Sequence, residues 1–261
     1  MLKVFLLCVF FGTGILYSQE TRSTIEVKYL VTFLSDSTNV NSSQQELTSL
    51  LIGNEVSSFK RLQKAKYDSL TDAEVTRSVA EAKGGRAIIN IGKYPPAKFK
   101  PETYKSGPDV TVYDELMKTV YSFPLEKQIV WEILEETKMI GGYRCNSAKA
   151  SFNGRNYVAW FAKDLPFNVG PYVFKGLPGL ILEVYDSQRF YVFTLAAVNR
   201  VSKSIVIPSA IGTTYEKFSR ARANFYNDPV GVFESATRLR IPANQRERVN
   251  TMHKSYNNQI Y

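Results

Sequence analysis

Two short stretches constrain the fold more than any other feature of this chain. Tyr157–Phe161 is apolar at every position, and Phe190–Val198 at every position except Thr194. In an extended strand successive side chains point to opposite faces, so Phe190, Val192, Ala196 and Val198 oppose Tyr191, Phe193, Leu195 and Ala197. A strand with one wet face alternates; a strand apolar on both faces needs cover on both. The chain supplies enough material for that, with 44% hydrophobic residues in 261. This length suits one domain, or two small ones, with a real core.

The first residues stand apart from that domain. Met1–Lys3 carries one positive charge, Val4–Leu16 is a nearly unbroken apolar run, and Tyr17-Ser18 precedes the polar sequence that begins at Gln19. This is the pattern of a secretory signal peptide cleaved after Ser18, too short to span a bilayer comfortably. Cys8 lacks the small-residue context of a lipoprotein site, so the expected product is not lipidated and is periplasmic or secreted. Removing residues 1–18 takes away Lys3, lowers the net charge from +9 to +8, and leaves Cys145 as the sole thiol. Cys145 opens an alternating segment and reads as a buried strand cysteine.

The remainder reads as mainly β with helical decoration (α+β). The expectation is a curved antiparallel sheet, open or curled toward a half-barrel, covered by one or two helices. Ile25–Leu34 alternates cleanly and Gln45–Ile52 is the returning strand. Thr71-Asp72-Ala73-Glu74 is a capping box before a helix to Ala82, which Gly84-Gly85 stops. Tyr94–Asp109, with four prolines, reads as a surface loop. Strands are then expected at Val120–Phe123, Gln128–Leu134, Gly142–Phe152, Asn156–Ala162, Leu180–Tyr185 and Phe190–Val198. Asn153-Gly154 is a strong hairpin signal, and Asp186-Ser187-Gln188 a second tight return. From Thr214 the spacing turns helical, with Phe218, Ala221 and Phe225 in one stripe. The domain reading is a signal peptide over 1–18 and a single domain over 19–261 ending in a basic helical tail.

Known catalytic motifs are missing. No G-x-S-x-G, H-E-x-x-H, C-x-x-C or phosphate-binding loop occurs, and the sole histidine, His253, lies in a polar tail. No metal site and no cofactor is expected. Asp164, Glu183 and Asp186 could form an acid–base pair for a hydrolase, although nothing local forces two of them together.

The most distinctive stretch is Asp164–Leu182, which contains Gly176-Leu177-Pro178-Gly179-Leu180-Ile181. Trp131-Glu132-Ile133, Gly142-Tyr143-Arg144-Cys145, Gly154-Arg155-Asn156-Tyr157, Ala159-Trp160 and Gly170-Pro171 surround it. This pattern resembles the GLPGLI family of secreted bacterial proteins, strongly over Ile129–Asp186. The resemblance implies an exported protein of Gram-negative bacteria and no established activity.

Two readings of the segment stay open. In one, Gly176, Pro178 and Gly179 form a rigid buried corner: Pro178 fixes φ near −65°, Gly179 takes the positive φ of a type II turn, and Gly176 allows close backbone approach. In the other, Trp160, Pro171, Tyr172, Phe174 and Leu177, with Pro166, form an apolar lip that binds a ligand. The expected function is therefore a non-catalytic binding module for a lipid, acyl chain or hydrophobic peptide. The alternative is a cell-envelope interaction protein that uses its Pro/Gly-rich edge and basic tail. Arg200–Tyr261 carries ten Lys or Arg against four acids, which suits an anionic membrane surface, a glycan or an acidic partner. Nucleic acid is excluded by export.

Overall fold

A computed structural model describes residues 21–62, 99–237, 240–254 and 256–260. The expected signal peptide and the Thr71–Ala82 helix lie outside them.

Twelve strands form one open sheet. They are β1 (Arg22–Leu34), β2 (Ser43–Ile52), β3 (Val56–Arg61), β4 (Glu102–Ser106), β5 (Asp109–Leu116), β6 (Thr119–Pro124), β7 (Glu132–Ile140), β8 (Tyr143–Phe152), β9 (Arg155–Ala162), β10 (Leu180–Asp186), β11 (Tyr191–Ser204) and β12 (Ile211–Gly212). Their order across the sheet is β12-β6-β5-β4-β3-β2-β1-β11-β10-β9-β8-β7. Every pairing is antiparallel except the two-residue parallel contact of β12 with β6, so the sheet is mixed. Three helices follow: α1 (Tyr215–Asn227), α2 (Pro229–Thr237) and α3 (Ala243–Lys254).

Alternation explains β1. Val27, Tyr29, Val31 and Phe33 are buried, and β1 lies between β2 and β11 as the longest seam of the sheet. The β8–β9 hairpin turns at Asn153 and Gly154, with φ of +47° and +76°, the left-handed pair that matches strand twist. The β7–β8 turn comes close to β11: a Cβ on Gly141 would lie 2.8 Å from Leu195 Cδ2.

Several expectations need correction. Within the Tyr94–Asp109 loop, residues 102–106 form β4, because Pro101 and Pro108 flank the strand and leave its ladder donors intact. The Gln128–Leu134 strand begins only at Glu132 and runs on to Ile140. β3 and β5 were not expected at all; both alternate too imperfectly to stand out. β9 is buried on both faces as its composition demands, with Tyr157, Ala159, Trp160, Phe161 and Ala162 inside. β11 is not: Tyr191 and Phe193 are buried, while Thr194 and Ala196 are exposed. Its second face carries small or polar groups where water reaches it.

Among the described residues the helices do not cover β9, β10 or β11. Thr214 caps α1, its Oγ1 accepting from the Lys217 N–H at 3.3 Å. Phe218 of α1 packs on Phe123 and Tyr121 of β6, at ring separations of 5.2 and 5.8 Å, so α1 covers the β6 end of the sheet. Its buried face is Phe218 and Arg222, not Ala221, since Arg222 reaches Asp114 of β5. What covers β9, β10 and β11 is the irregular chain between β9 and β10, residues 163–179. Phe174 meets Phe193 at 5.8 Å and Tyr157 at 4.9 Å, and Tyr172 meets Phe99 and Phe59. Phe33, Phe59, Phe99, Phe174, Tyr191 and Phe193 thus form one aromatic core.

Candidate functional site

Irregular chain can lie over a core only if its backbone polar groups find partners. Here they do so locally and across the sheet. The N–H groups of Phe167, Val169 and Gly179 reach the carbonyl two residues back at 2.7–2.8 Å. Leu180 N–H donates to Leu165 O and Ile181 N–H to Val169 O, closing the segment against its own exit strand. Tyr29 Oη donates to Ile181 O at 2.7 Å, Thr103 Oγ1 to Tyr172 O at 2.9 Å, and Trp131 Nε1 to Lys175 O at 2.8 Å. Lys175 Nζ donates to Pro108 O, and burial together with Lys105 lowers its pKa. The segment is therefore tied to β1, β4, the β4–β5 turn and Trp131.

The corner itself differs from the type II turn. Gly179 N–H bonds to Leu177 O, an inverse γ-turn centred on Pro178, whose fixed φ suits it. Gly179 has φ +154°, and its close approach is what demands glycine: a Cβ there would sit 2.2 Å from Ala162 O. Gly179 thus has the expected positive φ and, in addition, the close backbone approach that was expected of Gly176. Gly176 has φ +99° without a close approach: a Cβ there would meet Trp131 at 3.7 Å and Ile129 O at 3.9 Å, ordinary contact distances.

All five residues expected at a lip lie inside. Trp160, Pro171, Tyr172, Phe174 and Leu177 are buried. Tyr172 holds the left-handed φ of +54°, rare for a non-glycine residue, in the Pro171–Phe174 turn. Trp160 faces away from the aromatic core, with the Lys138 ammonium 4.3 Å from its ring and Lys138 bonded to Glu183 at 2.9 Å. Pro166 is exposed. It lines a cleft of about 390 Å³ with Phe167, Asn168 and Val169, closed on the far side by Ile52, the β2–β3 turn and Lys105.

The three candidate carboxylates do not meet. Glu183 is bonded to Lys138 and Asp186 to Arg155 at 2.6 Å, on opposite faces of β10, and Asp164 is exposed. Among the described residues no cluster of His, Cys, Asp or Glu is placed to hold a metal. Cys145 is fully buried and its thiol is pushed up to about 11 by burial, with Lys138 opposing. The basic tail is partly neutralised internally: Lys203 bonds Glu26, Arg222 bonds Asp114, and Arg240 and Arg246 share Glu234. Arg200, Lys217, Arg220 and Arg248 remain exposed.

One feature went unnoticed in the sequence. Among the described residues β7 is an edge of the sheet, paired only with β8, and its ladder bulges between Ile133 and Thr137. Ile133 and Met139 are 50% and 65% exposed, and Val130 just before them 81%. Glu135 and Glu136 protrude from the bulge and make no ion pair among the described residues. The signal was present in the run of apolar and acidic residues from Val130 to Ile140, but edge position is a property of the whole sheet.

Residues 152–183 match the model of a family described as a protein of unknown function, Porph_ging, which is the GLPGLI-type family. The matched span runs from the end of β8 through most of β10. No curated protein matches the sequence. Two crystal forms of PNGF-II resemble the fold, with TM-scores of 0.51 and 0.50 at 13% identity, over 76% of this chain and 32% of that chain. This chain spans about a third of the PNGF-II length, and the likeness is one of fold.

Proposed function

We propose that this chain is an exported, GLPGLI-type binding module that engages a partner polypeptide by strand addition at β7. The observation that carries the reading is the open edge itself: β7 offers nine residues of strand with exposed Ile133 and Met139. Main-chain groups of an unpaired edge bind an extended peptide, and alternate side chains select it. Unpaired Glu135 and Glu136 favour a strand that carries lysine or arginine opposite them. Burial of Trp160, Tyr172, Phe174 and Leu177 weighs against a ligand held by those side chains. Export rests on the N-terminal segment and places the partner in the periplasm or outside the cell. Membership of the family rests on the 152–183 match together with the Trp131 and Gly142–Cys145 satellites. The approach of Gly141 to Leu195 supports the half-barrel description of the sheet.

The test is a photo-crosslinker placed at Met139, or at Ile211 on the opposite edge, in cells that export the chain. A discrete adduct from Met139, absent from Ile211 and lost on joint Glu135→Lys and Glu136→Lys reversal at unchanged melting temperature, supports the reading. Equal adducts from both edges, or none from Met139, refute it.

A second reading follows from the cleft, where Pro166–Val169 of the family-matched segment faces Ile52 and Val56. Its mixed lining, with Lys105 and Asn168 beside Phe167, suits a small amphipathic ligand rather than a long acyl chain. Saturable binding of such a ligand that Phe167→Ala abolishes would favour it.

A further inference from the structure

Arg155 belongs to the Gly154-Arg155-Asn156-Tyr157 satellite, yet neither the core nor the β7 edge uses it. Its guanidinium forks between the sheet and the C-terminal segment. Nη1 donates to Asp186 Oδ2 at 2.6 Å; Nη2 donates to Asn258 Oδ1 at 2.6 Å and to Gln259 O at 3.0 Å. The segment is then read position by position. Asn258 Nδ2 donates to Leu34 O at 2.7 Å, its N–H to Ser35 O at 3.2 Å, and its carbonyl accepts from Tyr191 Oη at 2.8 Å. Asn257 Oδ1 accepts from Ser37 N–H and Oγ, while its Nδ2 donates to Asp36 Oδ1 at 2.7 Å. Ile260 ends the segment in the hydrophobic core, only 5% exposed.

We propose that the groove formed by residues 34–37, Arg155, Asp186 and Tyr191 is a peptide-recognition site for an extended, amide-rich segment of the type Asn-Asn-Gln-Ile, occupied in cis by residues 257–260. Three features distinguish it from chance coverage. The Asn258 side chain is satisfied at both its oxygen and its nitrogen, so glutamine or aspartate would not fit equivalently. Recognition comes from three separate elements, the end of β1, the start of β9 and the start of β11. The fork of Arg155 is held in place by Asp186, which also accepts from the Tyr191 N–H at 3.2 Å, so the receptor is preorganised without the tail. A tethered segment fills such a site at high effective concentration, and a free copy binds only once the tether is weakened.

The test uses the full chain and a fluorescent peptide with the sequence of residues 255–261. Wild type should give no anisotropy change, and carboxypeptidase should trim its tail slowly. Joint Asn257→Ala and Asn258→Ala substitution should speed trimming at least tenfold and create saturable peptide binding. Adding Arg155→Lys, which keeps the charge but loses the fork, should weaken that binding at least tenfold. Asn257→Ala alone breaks only exposed contacts and should move both readouts the same way by less, should the double variant not fold. A tail that stays protected in these variants, a released tail without peptide binding, or binding indifferent to Arg155→Lys would each overturn the proposal.

Discussion

The Cβ that Gly179 lacks would lie 2.2 Å from the carbonyl oxygen of Ala162, well inside any permitted contact. Ala162 is the last residue of β9 and Gly179 immediately precedes β10, so this approach is where the excursion over the core rejoins the sheet. Backbone cannot yield as a flexible side chain does, and φ +154° adds strain for any other residue. Gly179→Ala should cost about 3 kcal/mol or more, near the upper end for single substitutions. Gly176→Ala, with a positive φ but only ordinary contacts for the added Cβ, should cost about 1–2 kcal/mol, and Pro178→Ala about 0.5–1 kcal/mol through the unfolded chain. Urea unfolding of the three variants checks the ranking. Equal losses at Gly176 and Gly179 would show that conformation, not close approach, sets the cost.

Two buried tyrosines should respond oppositely to loss of the hydroxyl. Tyr29 Oη donates to Ile181 O, whereas Tyr157 Oη has no partner among the described residues. Tyr29→Phe should destabilise by about 1–2 kcal/mol, and Tyr157→Phe should stay within about 0.5 kcal/mol of wild type or stabilise. Thermal unfolding at one pH decides it.

Glu234 fastens α2 to the chain that leads into α3. The Ile241 N–H donates to its carboxylate, as do Arg240 and Arg246, and together they hold its pKa below the ordinary value despite burial. A depressed carboxylate stabilises above its unfolded pKa and loses that contribution as pH falls through the folded one. Protection of the Ile241 amide against hydrogen exchange, corrected for intrinsic rates, should therefore be constant from pH 7 to about 5 and fall below about 4. Glu234→Gln should flatten that fall. An unchanged profile in the variant would exclude Glu234 as its source.

Cys145 should not react in the folded protein. Its thiol is buried in β8 and pushed up to about 11, so at pH 8 the thiolate is scarce and shielded. Iodoacetamide should label the Cys145 peptide only after denaturation, and non-reducing electrophoresis should show no dimer through it. Labelling of the native protein at a rate comparable to free thiol would contradict the buried placement.

What could be read in the sequence is what depends on neighbours in sequence. Alternation located β1, the unbroken apolar run Tyr157–Phe161 located β9, Asn153-Gly154 located the hairpin, Thr214 located the start of α1, and the place of Cys145 at the start of an alternating segment predicted its burial. Each rests on backbone geometry or polarity within a few residues. The same local signals failed where prolines flanked β4 instead of breaking it, and where β11 turned out to have a wet face.

The rest was decided by closure of the sheet. Which segment covers the core, why glycine is required at 179, which strand becomes the edge, and what Arg155 holds are all set by groups far apart in the chain. Arg155 and Asn258 are 103 positions apart, and Tyr29 and Ile181 are 152. A residue's polarity says that it must find a partner, because a polar group leaves water at a cost unless it is hydrogen-bonded and an apolar group gains by leaving it. Only the tertiary path says which partner comes within reach. That is why the segment at residues 176–181 stood out in the sequence, while its γ-turn, the burial of Tyr172 and Phe174 before it, and the hold of Arg155 on residues 258–259 did not.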